Sequence, residues 1–167
     1  MPHQIRTVLS LLFTVLLTAA CENYDFKVND RVVYSPHPLF SDFDVPDQAL
    51  RTCLEQAIAD GVVTAVPRLT TLNCSHAGIT DLSGLATFTG LTSLKLSSNN
   101  IRNLVELGAL SSLVELYLDN NQIVDPVSLY QLPALRVVDL SGNPELQCPS
   151  SSGFLRLETV TMPRHCR

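Results

Sequence analysis

The chain holds five cysteines, at positions 21, 53, 74, 148 and 166, and four histidines with no Cys-x-x-Cys pair near them. Cys148 with His165 could form a thiolate–imidazole nucleophile if a third group oriented the ring. Asp119 and Asp139 could trade a proton if an apolar pocket raised one pKa. Ser150, Ser151 and Ser152 precede Gly153 in a turn-like run, with no His or acid spaced to activate a hydroxyl. No Gly-rich segment follows a strand pattern and opens a helix, so no phosphate cradle is encoded. The scattered ligands also argue against zinc. The expectation is no catalytic residue, no metal and no cofactor. What remains suits contact: Lys95, Glu115, Tyr117, Asp119, Arg136 and Asp139, one aromatic ring among charges of both signs.

Whether those six meet depends on the elements that carry them. Leu69, Leu91, Leu113 and Leu135 recur at a spacing of 22 residues, and a partial copy opens at Leu157. The copies begin LTTLNC, LTSLKL, LVELYL, LRVVDL and LETVTM. Alternation over positions 3 to 7 predicts a short strand with positions 4 and 6 inward. Later apolar groups, such as Ile101, Leu104, Leu107 and Leu110, return to the same side. One coil cannot bury that side alone, so the copies must stack as a solenoid. Asn99, Asn121 and Asn143 stand where three copies leave the strand, and their amides are expected to satisfy buried backbone groups between coils. Ala77 breaks this column in the first copy. Glu145 breaks an apolar column in the fourth, which predicts that the array is ending there.

In that register the chain resembles the leucine-rich repeat family, in the short bacterial subclass with 22-residue repeats typified by internalins. The resemblance covers roughly residues 45–167 and implies an α/β leucine-rich repeat solenoid. Its coils would be right-handed, with short parallel strands on the concave face. It implies a helical N-terminal cap over 45–68, four repeats over 69–156, and a partial repeat with C-terminal cap over 157–167. Pro46-Asp47 opens a stretch with Leu50, Cys53, Leu54, Ala57 and Ile58 at helical spacing. Asp44 or Asp47 is the expected N-cap, and Gly61 the expected left-handed terminating residue. Internalin-like proteins carry a similar cap introduced by a Pro-Asp pair.

Residues 1–20 read as an export signal, with Arg6, an apolar run over Val8–Leu17 and small residues before Cys21. LTAAC resembles the bacterial lipobox, with Thr18 where Leu is usual. The resemblance implies a lipidated N-terminal Cys21, and Glu22 after it implies sorting to the outer membrane, facing the periplasm or the exterior. Residues 21–44 read as the lipidated Cys and a tether, with a short hairpin turning near Asn29-Asp30 and an extended run at Pro36 and Pro38.

Without Cys21 four cysteines remain, an even number suited to an oxidising compartment, and three pairings are possible. In the repeat register Cys53 lies on the inner face of the cap helix and Cys74 at a core position of the first coil. Cys148 and Cys166 flank the last coil. The expected bridges are therefore Cys53–Cys74 and Cys148–Cys166, each contributing roughly 3 kcal/mol.

The formal charge of −5 becomes more negative when the signal and its Arg6 are removed. With no basic stripe, nucleic acid is not an expected partner, and membrane contact should run through the lipid on Cys21 alone. Lys95, Tyr117 and Asp139 hold equivalent strand positions about 4.8 Å apart. Glu115, Asp119 and Arg136 are expected around them. The resemblance implies a monomeric interaction module taking a protein or peptide on the concave face. A structural envelope lipoprotein without a dedicated ligand is the competing reading; an enzyme or enzyme regulator ranks last.

Overall fold

The computed structural model describes residues 26–28, 31–34, 39–149 and 153–166. The export signal, Cys21 and the Ser150–Ser152 run lie outside them. The chain divides into two units, Met1–Pro38 and Leu39–Arg167. In the first, β1 (Phe26–Val28) and β2 (Arg31–Tyr34) pair antiparallel with Val28 opposite Arg31. The expected turn at Asn29-Asp30 falls outside the described residues.

In the second unit each 22-residue copy supplies one strand of three residues. These are β3 (Thr71–Asn73), β4 (Ser93–Lys95), β5 (Glu115–Tyr117), β6 (Val137–Asp139) and β7 (Thr159–Thr161). They form one parallel sheet in chain order, in unshifted register, so Leu72, Leu94, Leu116, Val138 and Val160 make one column. Strands this short persist because each coil's apolar side is covered by its neighbours. On the return leg, 3₁₀ turns at Leu85–Thr87, Val105–Ala109 and Val127–Gln131 carry Leu85, Leu107 and Leu129 into the core. The fold is that of a leucine-rich repeat solenoid with an N-terminal helix.

Between strand and return leg the backbone makes the same bend in each of the first four coils. His76, Ser98, Asn120 and Gly142, one per copy, all take left-handed conformations, with φ of +60°, +56°, +56° and +69°. The next residue in the later three is the buried Asn. Asn99 Nδ2 donates to the carbonyls of Cys74 and Leu96, while its Oδ1 accepts from the backbone N–H groups of Ala77, Gly78 and Ile79. Asn121 and Asn143 likewise donate to two coils and accept from Ile101 and Ile123. Each amide thus satisfies groups that no strand or helix pairs. In the fourth copy Glu145 is exposed and Leu146 takes the buried place one residue later. The N–H groups of Asn100 and Gln122 bond the preceding coil at Ile79 and Ile101. Pro144 has no such donor, so the link shifts to Gln147 donating to Val124.

The cap is α1 (Gln48–Asp60), with Leu50, Leu54 and Ile58 buried. Asp47 is its N-cap, accepting from Ala49 and Leu50. Its end differs from expectation. Gly61 keeps helical dihedrals (φ −82°, ψ −4°), and the left-handed residue is Val62 at φ +48°. Val63 donates to Ile58 and Val62 to Ala59, the paired bonds of a Schellman ending, which lays Val63 into the core beside Ile58. A Cβ at Gly61 would lie 3.1 Å from both the Ala57 carbonyl and the Val63 side chain, so a larger residue there would have to push Val63 slightly aside. Residues 39–44, expected in the tether, belong to the cap instead. Phe40 and Phe43 pack edge-on against buried Phe88 at 6.1 and 5.4 Å, and Phe40 donates to the Val63 carbonyl.

Candidate binding face and the groove beside the cap

Parallel register sets the centre of the concave face. Lys95 stands opposite Tyr117, and Tyr117 opposite Asp139. The Lys95 ammonium lies 5.3 Å from the centre of the Tyr117 ring, a cation–π contact that holds both side chains over β4 and β5. Glu115 and Asp119, two residues to either side of Tyr117, emerge on the same face. Ser93 and Ser97 of the preceding coil donate hydroxyl bonds to Glu115 and Asp119. Asn120 Nδ2 adds a bond to the other oxygen of Asp119 at 2.8 Å, and the Ser141 N–H donates to Asp139 at 2.9 Å. Three carboxylates and one ammonium therefore surround the ring in fixed positions. Lys95 is exposed; the others are half-buried.

Arg136 does not join them. It precedes β6, and its guanidinium donates to the Leu135 carbonyl at 3.1 Å and lies 3.8 Å from Glu158. It ties neighbouring coils beside the sheet.

A groove of about 890 Å³ opens between α1 and β3, and sequence reasoning missed it. Its floor is small and apolar, with Ala49, Cys53, Ala57 and Ala77, and its polar lining includes Gln48, Gln56, Thr71 and Asn73. The available signal was the run of small residues at four-residue spacing along the helix. Asn73 pairs in register with Lys95, so the groove adjoins the charged row.

The cysteines are joined as Cys53–Cys74 and Cys148–Cys166. Cys148 is thus bound to sulfur and offers His165 no thiol to activate. Asp119 and Asp139 bond to separate partners and not to each other.

A sequence family described as leucine rich repeats (2 copies) matches residues 67–111. Comparison with curated proteins gives no match. Among solved structures, an internalin (inlF) from Listeria monocytogenes is similar at 22% identity and TM-score 0.62, over 72% of this chain and 37% of that one. Internalin C2 of the same species shares 23% identity at TM-score 0.49, over 72% and 65% of the two chains. The functional domain of internalin J, also from Listeria monocytogenes, shares 24% at TM-score 0.49, over 72% and 31%. The matched region spans less than two thirds of each of those chains.

Proposed function

We propose that this chain, whose leucine-rich repeat fold is similar to that of an internalin, acts as a protein–protein interaction module. In this reading it is exported, lipidated at Cys21 and held in the outer membrane, and its concave face takes a protein or peptide. The row of Lys95, Tyr117 and Asp139, flanked by Glu115 and Asp119, carries the reading. Tyr117 offers a large amphipathic surface at small entropic cost. Acids already held by Ser93 and Ser97 lose little further freedom on binding. Three carboxylates against one ammonium favour a partner segment with basic side chains, whose binding weakens as salt rises. No helix among the described residues is long and apolar enough to cross a membrane. In this reading the lipid on Cys21 is the anchor, and Cys21→Ser should move the protein from the membrane to the soluble fraction.

The test of the face is affinity capture from envelope extracts with the chain from Glu22 onward, beside a folded Lys95→Glu, Tyr117→Ala, Asp139→Lys variant. A partner kept by the parent and lost by the variant is the expected result. Equal retention, or none, would leave the solenoid as a structural envelope component.

A further inference from the structure

The C-terminal bridge differs from the N-terminal one in what stands next to it. One ring nitrogen of His165 and the sulfurs of Cys148 and Cys166 all lie within 4.8 Å of one another. Among the described residues this is the one such group of three potential ligands. Among the same residues, buried Cys74 and its partner Cys53 have no third ligand of this kind. Two thiolates and an imidazole are the donor set of a tetrahedral zinc site that keeps one position for water. We propose that reduction of the Cys148–Cys166 disulfide turns this end of the solenoid into a binding site for a zinc-class divalent cation.

The ligands are held near one another by bonds that do not involve sulfur. The Gln147 N–H donates to the Val124 carbonyl at 2.8 Å, fixing the loop before Cys148. The Cys166 N–H donates to Pro163 at 3.0 Å, and β7, just upstream, is paired to β6. His165 Nε2 lies 3.0 Å from the Leu146 carbonyl, which keeps the ring beside that loop. Cutting the disulfide therefore leaves the three side chains where they can converge. Cys148 is exposed, so a reductant can reach it.

The chemistry balances with a dithiol as reductant. Its thiolate attacks one sulfur, its second thiol resolves the mixed disulfide, and it leaves as a cyclic disulfide. Two electrons and two protons pass to Cys148 and Cys166. The cation then displaces both thiol protons to solvent and binds two thiolates and the neutral ring, so the pair of negative charges offsets its own.

The test uses the full exported chain in detergent, reduced with a dithiol, freed of it without oxygen, and titrated with Co²⁺. One equivalent should develop thiolate-to-cobalt charge-transfer absorption, and the oxidised chain should show none. Cys148→Ser should abolish the signal while keeping Cys53 and Cys74. His165→Ala should weaken binding at least ~10-fold, since even groups that only support a metal ligand are worth that much. Zn²⁺ should raise the Tm of the reduced parent and not of reduced His165→Ala. The inference is overturned if the band survives in Cys148→Ser, if His165→Ala binds as tightly as the parent, or if Zn²⁺ leaves the reduced parent's Tm unmoved.

Discussion

The N-terminal end of the solenoid is a wall: α1 seals the first coil with Leu50, Leu54 and Ile58, and Phe40 and Phe43 close over Phe88. Asp47 locks it, one oxygen capping the helix and the other accepting from the N–H and hydroxyl of Thr80 and the N–H of Asp81. The C-terminal end is a clamp. Val160 and Met162, whose counterparts in earlier coils are fully buried, stay half-exposed. Phe154 meets Tyr130 edge-on at 5.1 Å, Arg156 donates to the Tyr130 carbonyl, and Cys148–Cys166 ties the last loop. Both ends carry a disulfide of similar span, yet one bridge reinforces a sealed core and the other restrains a coil with little core. In a stack of nearest-neighbour contacts, the second can fray without opening the rest.

The largest predicted effect strikes the wall. A Cβ at Gly84, where φ is +88°, would fall 2.0 Å from the Asp44 carbonyl oxygen. Gly84→Ala should cost about 3 kcal/mol or more, through strain and overpacking, in denaturant unfolding. A cost below about 1 kcal/mol, less than overpacking alone would give, would show that the segment before α1 is not seated there. Replacing Cys53 and Cys74 by Ala should cost about 3 kcal/mol, as loop entropy requires. The same change at Cys148 and Cys166 should cost clearly less, because the coil it restrains adds little core to the cooperative unit while backbone bonds such as Gln147 to Val124 still hold its loop. Equal losses would make the two ends one cooperative unit.

Asp47 provides a pH test of the wall. Burial pushes its carboxyl upward, but bonds from the Leu50, Thr80 and Asp81 backbone and the Thr80 hydroxyl outweigh this and hold it below the ordinary 3.8. Its contribution is complete above the unfolded value and is lost as pH falls through the lower folded one. Asp47→Asn should cost about 1 to 2 kcal/mol near neutral pH and flatten the acid limb of the stability profile. An unchanged limb would assign acid sensitivity to other carboxylates. The smallest effect is a gain. Val62, β-branched and at φ +48°, is strained, so Val62→Gly should add about 1 kcal/mol to stability, seen as a raised Tm.

Much of this was legible in the chain, for identifiable reasons. A 22-residue repeat constrains every copy at once, so the strand columns, the Asn amides and the row through Tyr117 could be read from spacing. The pairing of Cys53 with Cys74 followed because both fall on inward positions of adjoining elements. Strand spacing does not fix the direction of Arg136, a long side chain that precedes β6 and turns toward Glu158. The groove escaped notice because it belongs to two elements, and its Ala and Cys residues look like ordinary helix packing.

The sequence by itself determined the coil, its period and its cap, since apolar periodicity is a local property that stacking can satisfy in only one way. Only the tertiary structure decided how the ends close. It gave the left-handed turn to Val62, moved the fourth coil's buried residue to Leu146, and set Asp47 across to Thr80 and His165 against the last bridge. Those choices depend on where a backbone arriving from a distant part of the chain leaves space and unpaired groups, which no local pattern records.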